Sequence, residues 1–132
     1  MAELRVALCQ PEHVHIIWPH VRFKLKRAID KIGMEPFHIT EDGVLSGQFL
    51  LWIGYDLEKI HAGLATQVTP DKVCTIVAFG GSRMRELLPF LRQIEFYHRN
   101  LGCKAMRIIG RKGWTRILPD YKHKATIIER PL

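Results

Sequence analysis

Residues 72–111, KVCTIVAFGGSRMRELLPFLRQIEFYHRNLGCKAMRIIGR, constrain the fold of this chain more than any other stretch. Val73–Phe79 is a short apolar run rich in β-branched residues, the composition of a buried strand. Gly80-Gly81-Ser82 predicts a turn that opens a helix, with Ser82 as its N-cap and Glu86 supporting the first turn. Met84, Leu87, Leu88, Leu91 and Ile94 then recur at helical spacing, and Gly102 is a natural stop. Ala105–Ile109 reads as a second strand. A strand, crossover helix and strand of this length close into a right-handed βαβ unit with parallel strands. The start of the helix then lies beside the C-terminal end of the first strand, with free backbone N–H groups available to an anion.

The rest of the chain predicts what packs around this unit. Glu3–Cys9 alternates weakly and reads as a strand. Pro11 suits a first helical turn. Val14, Ile17, Trp18, Val21, Leu25, Ala28, Ile29 and Ile32 fall on one helical face. Pro19 is expected to kink this helix or divide it near residues 11–18 and 19–31, and Gly33 to cap it. Residues 34–46 read as turn-rich, with Asp42-Gly43 a turn signal. Gln48–Tyr55 and Ile60–Thr69 predict an antiparallel hairpin around Asp56–Lys59, and Pro70-Asp71 turns the chain into Val73. Gly110–Asp120 reads as a loop and a short helix packed through Trp114, Ile117 and Leu118. Lys124–Glu129 reads as a last strand.

At 132 residues, with no linker, repeat or low-complexity segment, residues 1–132 are expected to form a single domain with a real core. No apolar run approaches the roughly 20 residues that span a bilayer, and the first residues lack a secretory pattern. A soluble, cytoplasmic protein without membrane partners is the expectation. Cys9, Cys74 and Cys103 are odd in number and lie in or beside strands, so free thiols are expected. The net charge of +7 favours anionic partners: nucleic acid, a phosphate-bearing cofactor or an acidic protein. The basic residues are spread over Arg22–Lys31, Arg83–Arg99 and Arg107–Lys124, and no nucleic-acid-binding signature accompanies them. His13, His15 and His20 do not share a helix face, so no metal is expected there. Phosphate-loop, dinucleotide and nucleophile-elbow motifs are absent.

The order β, α(α), β, β, β, α, β, α, β resembles the GNAT (GCN5-related N-acetyltransferase) superfamily over essentially the whole chain. The likeness is sharpest over Ile60–Tyr121, where LGCKAMRIIGRKGWTRIL…Y is similar to the family's helix end, fifth strand and fourth helix. On the GRKGW stretch and the short length, the chain also resembles small bacteriophage-encoded GNAT-like proteins, some of them virion components. The resemblance implies an α/β (α+β) fold: a mixed central sheet, splayed parallel fourth and fifth strands, and helices on both faces. It implies acetyl-CoA in the splay, with pantetheine along Ala78 and Phe79. The pyrophosphate would lie at Gly80, Gly81, Ser82, Arg83 and Met84, with charge from Arg83 and Arg85. An N-acetyltransferase acting on an amine acceptor follows from that resemblance.

The chain departs from the family pattern in two places. The family's loop reads Arg/Gln-x-x-Gly-x-Gly/Ala, whereas this chain has GGSRMR, with bulkier residues where the later glycine belongs. The catalytic residues are unassigned: Val73–Phe79 holds no carboxylate, Arg116 stands where the family's acidic Tyr is expected, and Tyr121, Glu58 and His61 are the remaining candidates. The alternative is a catalytically inactive phage structural or interaction protein that keeps the fold, located in the host cytoplasm or the virion.

Overall fold

The computed structural model describes residues 3–33, 35–109 and 114–132. Five strands form one sheet in chain order: β1 (Arg5–Leu8), β2 (Leu50–Tyr55), β3 (Ile60–Val68), β4 (Val73–Gly81) and β5 (Ala105–Ile108). The first four are joined antiparallel, and β5 pairs with β4 in parallel. Helix α1 (Val14–Ile32) and helix α2 (Phe37–Ser46) follow β1. Between β4 and β5 run α3 (Met84–Leu87), a 3-10 turn (Leu88–Phe90) and α4 (Leu91–Asn100). A short α5 (Trp114–Ile117) comes after β5. The mixed sheet with parallel fourth and fifth strands is the architecture expected from the sequence.

Both faces of the sheet are covered. On one face Trp18, Val21, Leu25 and Ile29 of α1 and Phe37 and Val44 of α2 pack on Leu51, Ala65 and Ala78. On the other, Leu91 and Ile94 of α4 pack on Trp52, Leu64 and Ile76, with Met106, Leu118 and Tyr121 at the border. Alternation along each strand sends successive residues to these two cores.

Several local expectations are corrected. Pro19 does not divide α1, which is continuous through it. Pro19 is exposed and near the helix start, so the carbonyl that loses its partner faces water. Residues 37–46 are helical rather than turn-rich. Their buried ridge is Phe37, Thr40, Gly43 and Val44, of which two are not strongly apolar. A Cβ on Gly43 would lie 2.5 Å from the Phe49 ring, so the missing side chain makes room for that ring. The helix is tied to α1 by the stack of Trp18 on Phe37 and by Glu41, which accepts from Trp18 Nε1 (2.8 Å) and from Arg22. The long helix after β4 is interrupted at Pro89, where a 3-10 turn separates α3 from α4. Lys124–Glu129 is not a strand; Ile127 and Ile128 there are 64% and 92% exposed. Ile117 is largely exposed, while Trp114 and Leu118 pack inward. Cys9, Cys74 and Cys103 are free thiols.

Candidate cofactor cleft

The cleft begins with a one-residue irregularity in β4. Thr66 of β3 faces Ile76, but the next pair is Ala65 with Ala78, so Val77 has no partner across β3. Such a bulge bends the strand and raises its twist. Pairing with β5 ends at that point: it runs from Val73 with Ala105 to Ile76 with Ile108. β4 continues to Gly81, and among the described residues no strand lies on that edge of Val77–Gly81. β5 itself ends there, at Ile108, so β4 runs on beyond its parallel partner. A cleft of about 480 Å³ opens where β5 has left.

The doublet Gly80-Gly81 is not a turn before a helix, as its composition suggests, but the end of β4, opposite Gly63 and Ala62. Gly81 has φ 133, and a Cβ there would lie 2.4 Å from the His61 carbonyl oxygen. At Gly80 the need is proximity: a Cβ would lie 2.4 Å from the Lys24 carbonyl oxygen and 3.1 Å from Ala28 Cβ. Helix α1 crosses Gly63 of β3 at Val21 and Gly80 of β4 at Lys24–Ala28. Its last turns thus reach past β4 and roof the gap, bringing Lys24, Arg27, Lys31 and Ile32 to the cleft.

Ser82 is not an N-cap. Its backbone N–H donates to His61 O (2.9 Å), which extends the β3–β4 ladder by one bond. The residue before α3 is Arg83, in a left-handed conformation with φ 58. Its guanidinium grips Glu86 in a two-bonded fork (3.1 and 2.6 Å) and reaches Asp56 Oδ2 at 3.4 Å. Of the eight residues that the sequence singles out, Ala78, Phe79, Gly80, Gly81, Ser82 and Met84 line the cleft. Arg83 and Arg85 do not, and the charge of Arg83 is balanced by carboxylates. Phe79 stacks on Trp114 at 6.0 Å and 12°, closing the end of the cleft away from α1.

The acid–base candidates lie elsewhere. His61 is buried, with Nε2 2.7 Å from Asp56 Oδ2. Asp56 Oδ1 accepts the backbone N–H groups of Glu58 and Lys59. Hydrogen bonds from His61 and from these two amides hold the Asp56 carboxyl well below the usual carboxylate range. Glu58 is exposed at the hairpin turn. The Tyr121 hydroxyl donates to Glu95 Oε2 at 2.6 Å, and burial pushes its ionisation far above the usual tyrosine range. None of Glu58, His61, Arg116 and Tyr121 lines the cleft. Among the described residues the lining contains no carboxylate, histidine, tyrosine or cysteine. His13, His15 and His20 are exposed about the start of α1, and no group of three or more metal-ligating side chains forms among the described residues.

Sequence reasoning missed the contribution of α1. Lys24, Arg27 and Lys31 follow one another at three and four residues, which puts them on one helical stripe. That spacing was the signal available, but only the crossing of α1 over Gly80 shows where the stripe points.

With this geometry in place, the fold is recognisable as that of the GNAT acetyltransferases. A predicted acetyltransferase from Clostridium acetobutylicum, with acetyl-CoA, superposes with a TM-score of 0.63 at 11% identity, covering 98% of this chain and 96% of that one. A GCN5-related N-acetyltransferase from Ralstonia eutropha JMP134 gives 0.64 at 10% identity, with 98% and 99% covered. The structure of AAC(6')-Iy in complex with the bisubstrate analog CoA-S-monomethyl-acetylneamine gives 0.66 at 10% identity, with 99% of each chain covered. No family model matches the sequence, and no curated protein matches it. Among the described residues no helix is long and apolar enough to cross a membrane.

Proposed function

We propose that this chain is an acyl-CoA-dependent N-acetyltransferase that holds acetyl-CoA in the cleft between β4 and β5. The observation that carries the reading is the edge of Val77–Gly81, unpaired among the described residues and exposed to a cleft of about 480 Å³ in a GNAT fold. An extended pantetheine arm can bond to that edge at Ala78 and Phe79 as an added strand would. The pyrophosphate lies against the backbone of Gly80, Gly81, Ser82 and Met84, which line the cleft where β4 leads into α3. Arg83 and Arg85 stand outside the lining, and Arg83 serves chiefly to fix the start of α3 through Glu86 and Asp56.

The transfer requires a neutral amine to attack the thioester carbonyl, the C–S bond to break, and the CoA thiolate to leave. Lys24, Arg27 and Lys31 favour this in two ways. Nearby positive charge disfavours an ammonium and so lowers the acceptor's pKa, letting water take the proton without a protein base. The same field stabilises the departing thiolate. A second reading draws on a lining that holds no acid or base among the described residues: the fold as a non-catalytic interaction protein.

Calorimetric titration with acetyl-CoA and with desulfo-CoA separates the two. Saturable binding at micromolar concentration is expected, and Ser82→Asp, an exposed substitution at the phosphate end, is expected to abolish it. No heat and no thermal shift at millimolar ligand would leave only the non-catalytic reading.

A further inference from the structure

The α1 wall of the cleft is positively charged and uncompensated. Helix α1 carries other basic residues, but those that face away from the cleft have acidic partners: Arg22 is paired with Glu41, and Lys26 with Asp30 at 2.7 Å. Lys24, Arg27 and Lys31, which line the cleft, have no ion-pair partner among the described residues. Asp30 is the acidic residue of this half of the helix, and it is turned to Lys26. The opposite wall, Phe79 and Trp114, is aromatic, and Gly80-Gly81 forms the floor without side chains. A ligand in this space therefore meets three cations on one side and no carboxylate on any described side.

We propose that Lys24, Arg27 and Lys31 form an anion subsite, and that the amine accepted by this cleft itself carries a phosphate or carboxylate. This rests on the reading of the cleft as an acyl-transfer site, and it names the acceptor class within that reading. The three side chains reach from successive turns of one helix, so they can converge on a single compact anion. Arg27 supplies a planar fork suited to a two-bonded grip on phosphate or carboxylate, and the two lysines add rotatable point charges. A polycation such as an aminoglycoside is disfavoured by the same charges, because the described residues of the lining offer no carboxylate to receive its ammonium groups.

The test needs no cofactor. Phosphoethanolamine, ethanolamine and kanamycin are titrated into the full chain, and the backbone amide signals of Gly80–Ser82 are followed by NMR. Saturable shifts with phosphoethanolamine are expected, with affinity at least about tenfold above ethanolamine and no saturable effect of kanamycin. Arg27→Glu and Lys31→Glu, both at exposed positions, are each expected to reduce the phosphoethanolamine affinity by about tenfold. Equal affinity for ethanolamine, tighter binding of kanamycin, or indifference to both substitutions would overturn the proposal. Repeating the titration with saturating desulfo-CoA distinguishes the source of the anion. Retained binding assigns the subsite to the acceptor, whereas competition assigns it to the cofactor's own phosphates and overturns the acceptor assignment. If desulfo-CoA does not bind while phosphoethanolamine does, the acetyltransferase reading fails and the anion subsite stands.

Discussion

Replacing Gly80 with alanine adds one methyl group at the crossing of α1 and β4. That methyl would lie 2.4 Å from the carbonyl oxygen of Lys24, against about 3.4 Å for an ordinary contact, so the two elements must separate by about 1 Å. The obstacle is helix backbone, not a side chain that can rotate away, and Ala28 Cβ at 3.1 Å blocks the simplest sideways escape. Overpacking of this kind costs about 1–3 kcal/mol. An unfolding entropy of about 2.1 cal/mol/K per residue over 132 residues converts this to a Tm lowered by roughly 4–11 °C. Differential scanning calorimetry measures it directly, with Ser82→Ala as a neighbouring control at an exposed position. The displaced helix also lifts Lys24, Arg27 and Lys31 from the cleft, so ligand affinity should fall in the same variant. A Tm within 2 °C of the parent, with ligand binding unchanged, would refute the close packing of α1 on β4 from which the roofed cleft is argued.

Three further outcomes follow from the packing and the charge network. Leu25→Ala, at a fully buried position facing the sheet, should cost about 2–5 kcal/mol and lower Tm by roughly 7–18 °C. Asp56→Asn should lower Tm at pH 7, because it weakens the group that His61, Arg83 and two backbone amides share. The Asp56 carboxyl titrates below its unfolded value, so its stabilisation is complete above about pH 4 and is lost as pH falls further. The Tm gap between parent and variant should therefore narrow in acid, and a gap independent of pH would contradict the assigned network. Burial pushes the Cys74 thiol up to about 12, with Cys103 adding to the shift, so a thiol reagent at pH 8 should modify the partly exposed Cys103 before Cys74, which should react only on unfolding. Mass spectrometry of the labelled peptides reads the order.

The parts of this fold that were legible in the sequence are those whose residues announce their own period. Val73–Phe79 and Ile60–Thr69 are apolar and β-branched enough to be strands in any context, and the face of α1 repeats large apolar residues over its full length. Helix α2 escaped because two of its four buried positions are Thr40 and Gly43, whose roles are set by Phe49 and by the tertiary neighbours of the ridge. Lys124–Glu129 failed in the opposite sense: it has the residues of a strand but no partner among the described residues. Gly80-Gly81 was readable as special but not as strand, since glycine doublets usually punctuate. Here they mark close approach, of α1 on one side and of β3 on the other. Of the eight residues that the resemblance singles out, six line the cleft and Arg83 and Arg85 do not, while the basic wall was not anticipated at all. It comes from an element some fifty residues away, and no local pattern states where that element crosses the sheet.

The unmatched Val77 makes the cleft a matter of counting. Without it, Ile76 and Ala78 would follow one another opposite Thr66 and Ala65, the ladder with β3 would run unbroken, and Phe79 and Gly80 would keep the faces they have now. What would change is the direction of the strand beyond Ile76, which owes its bend to the extra residue. Deleting one apolar residue, with no loss of charge or of any lining side chain other than its own, would straighten the strand edge along which the cleft opens. The course of this cleft is in that sense stored in the backbone as a surplus of one residue.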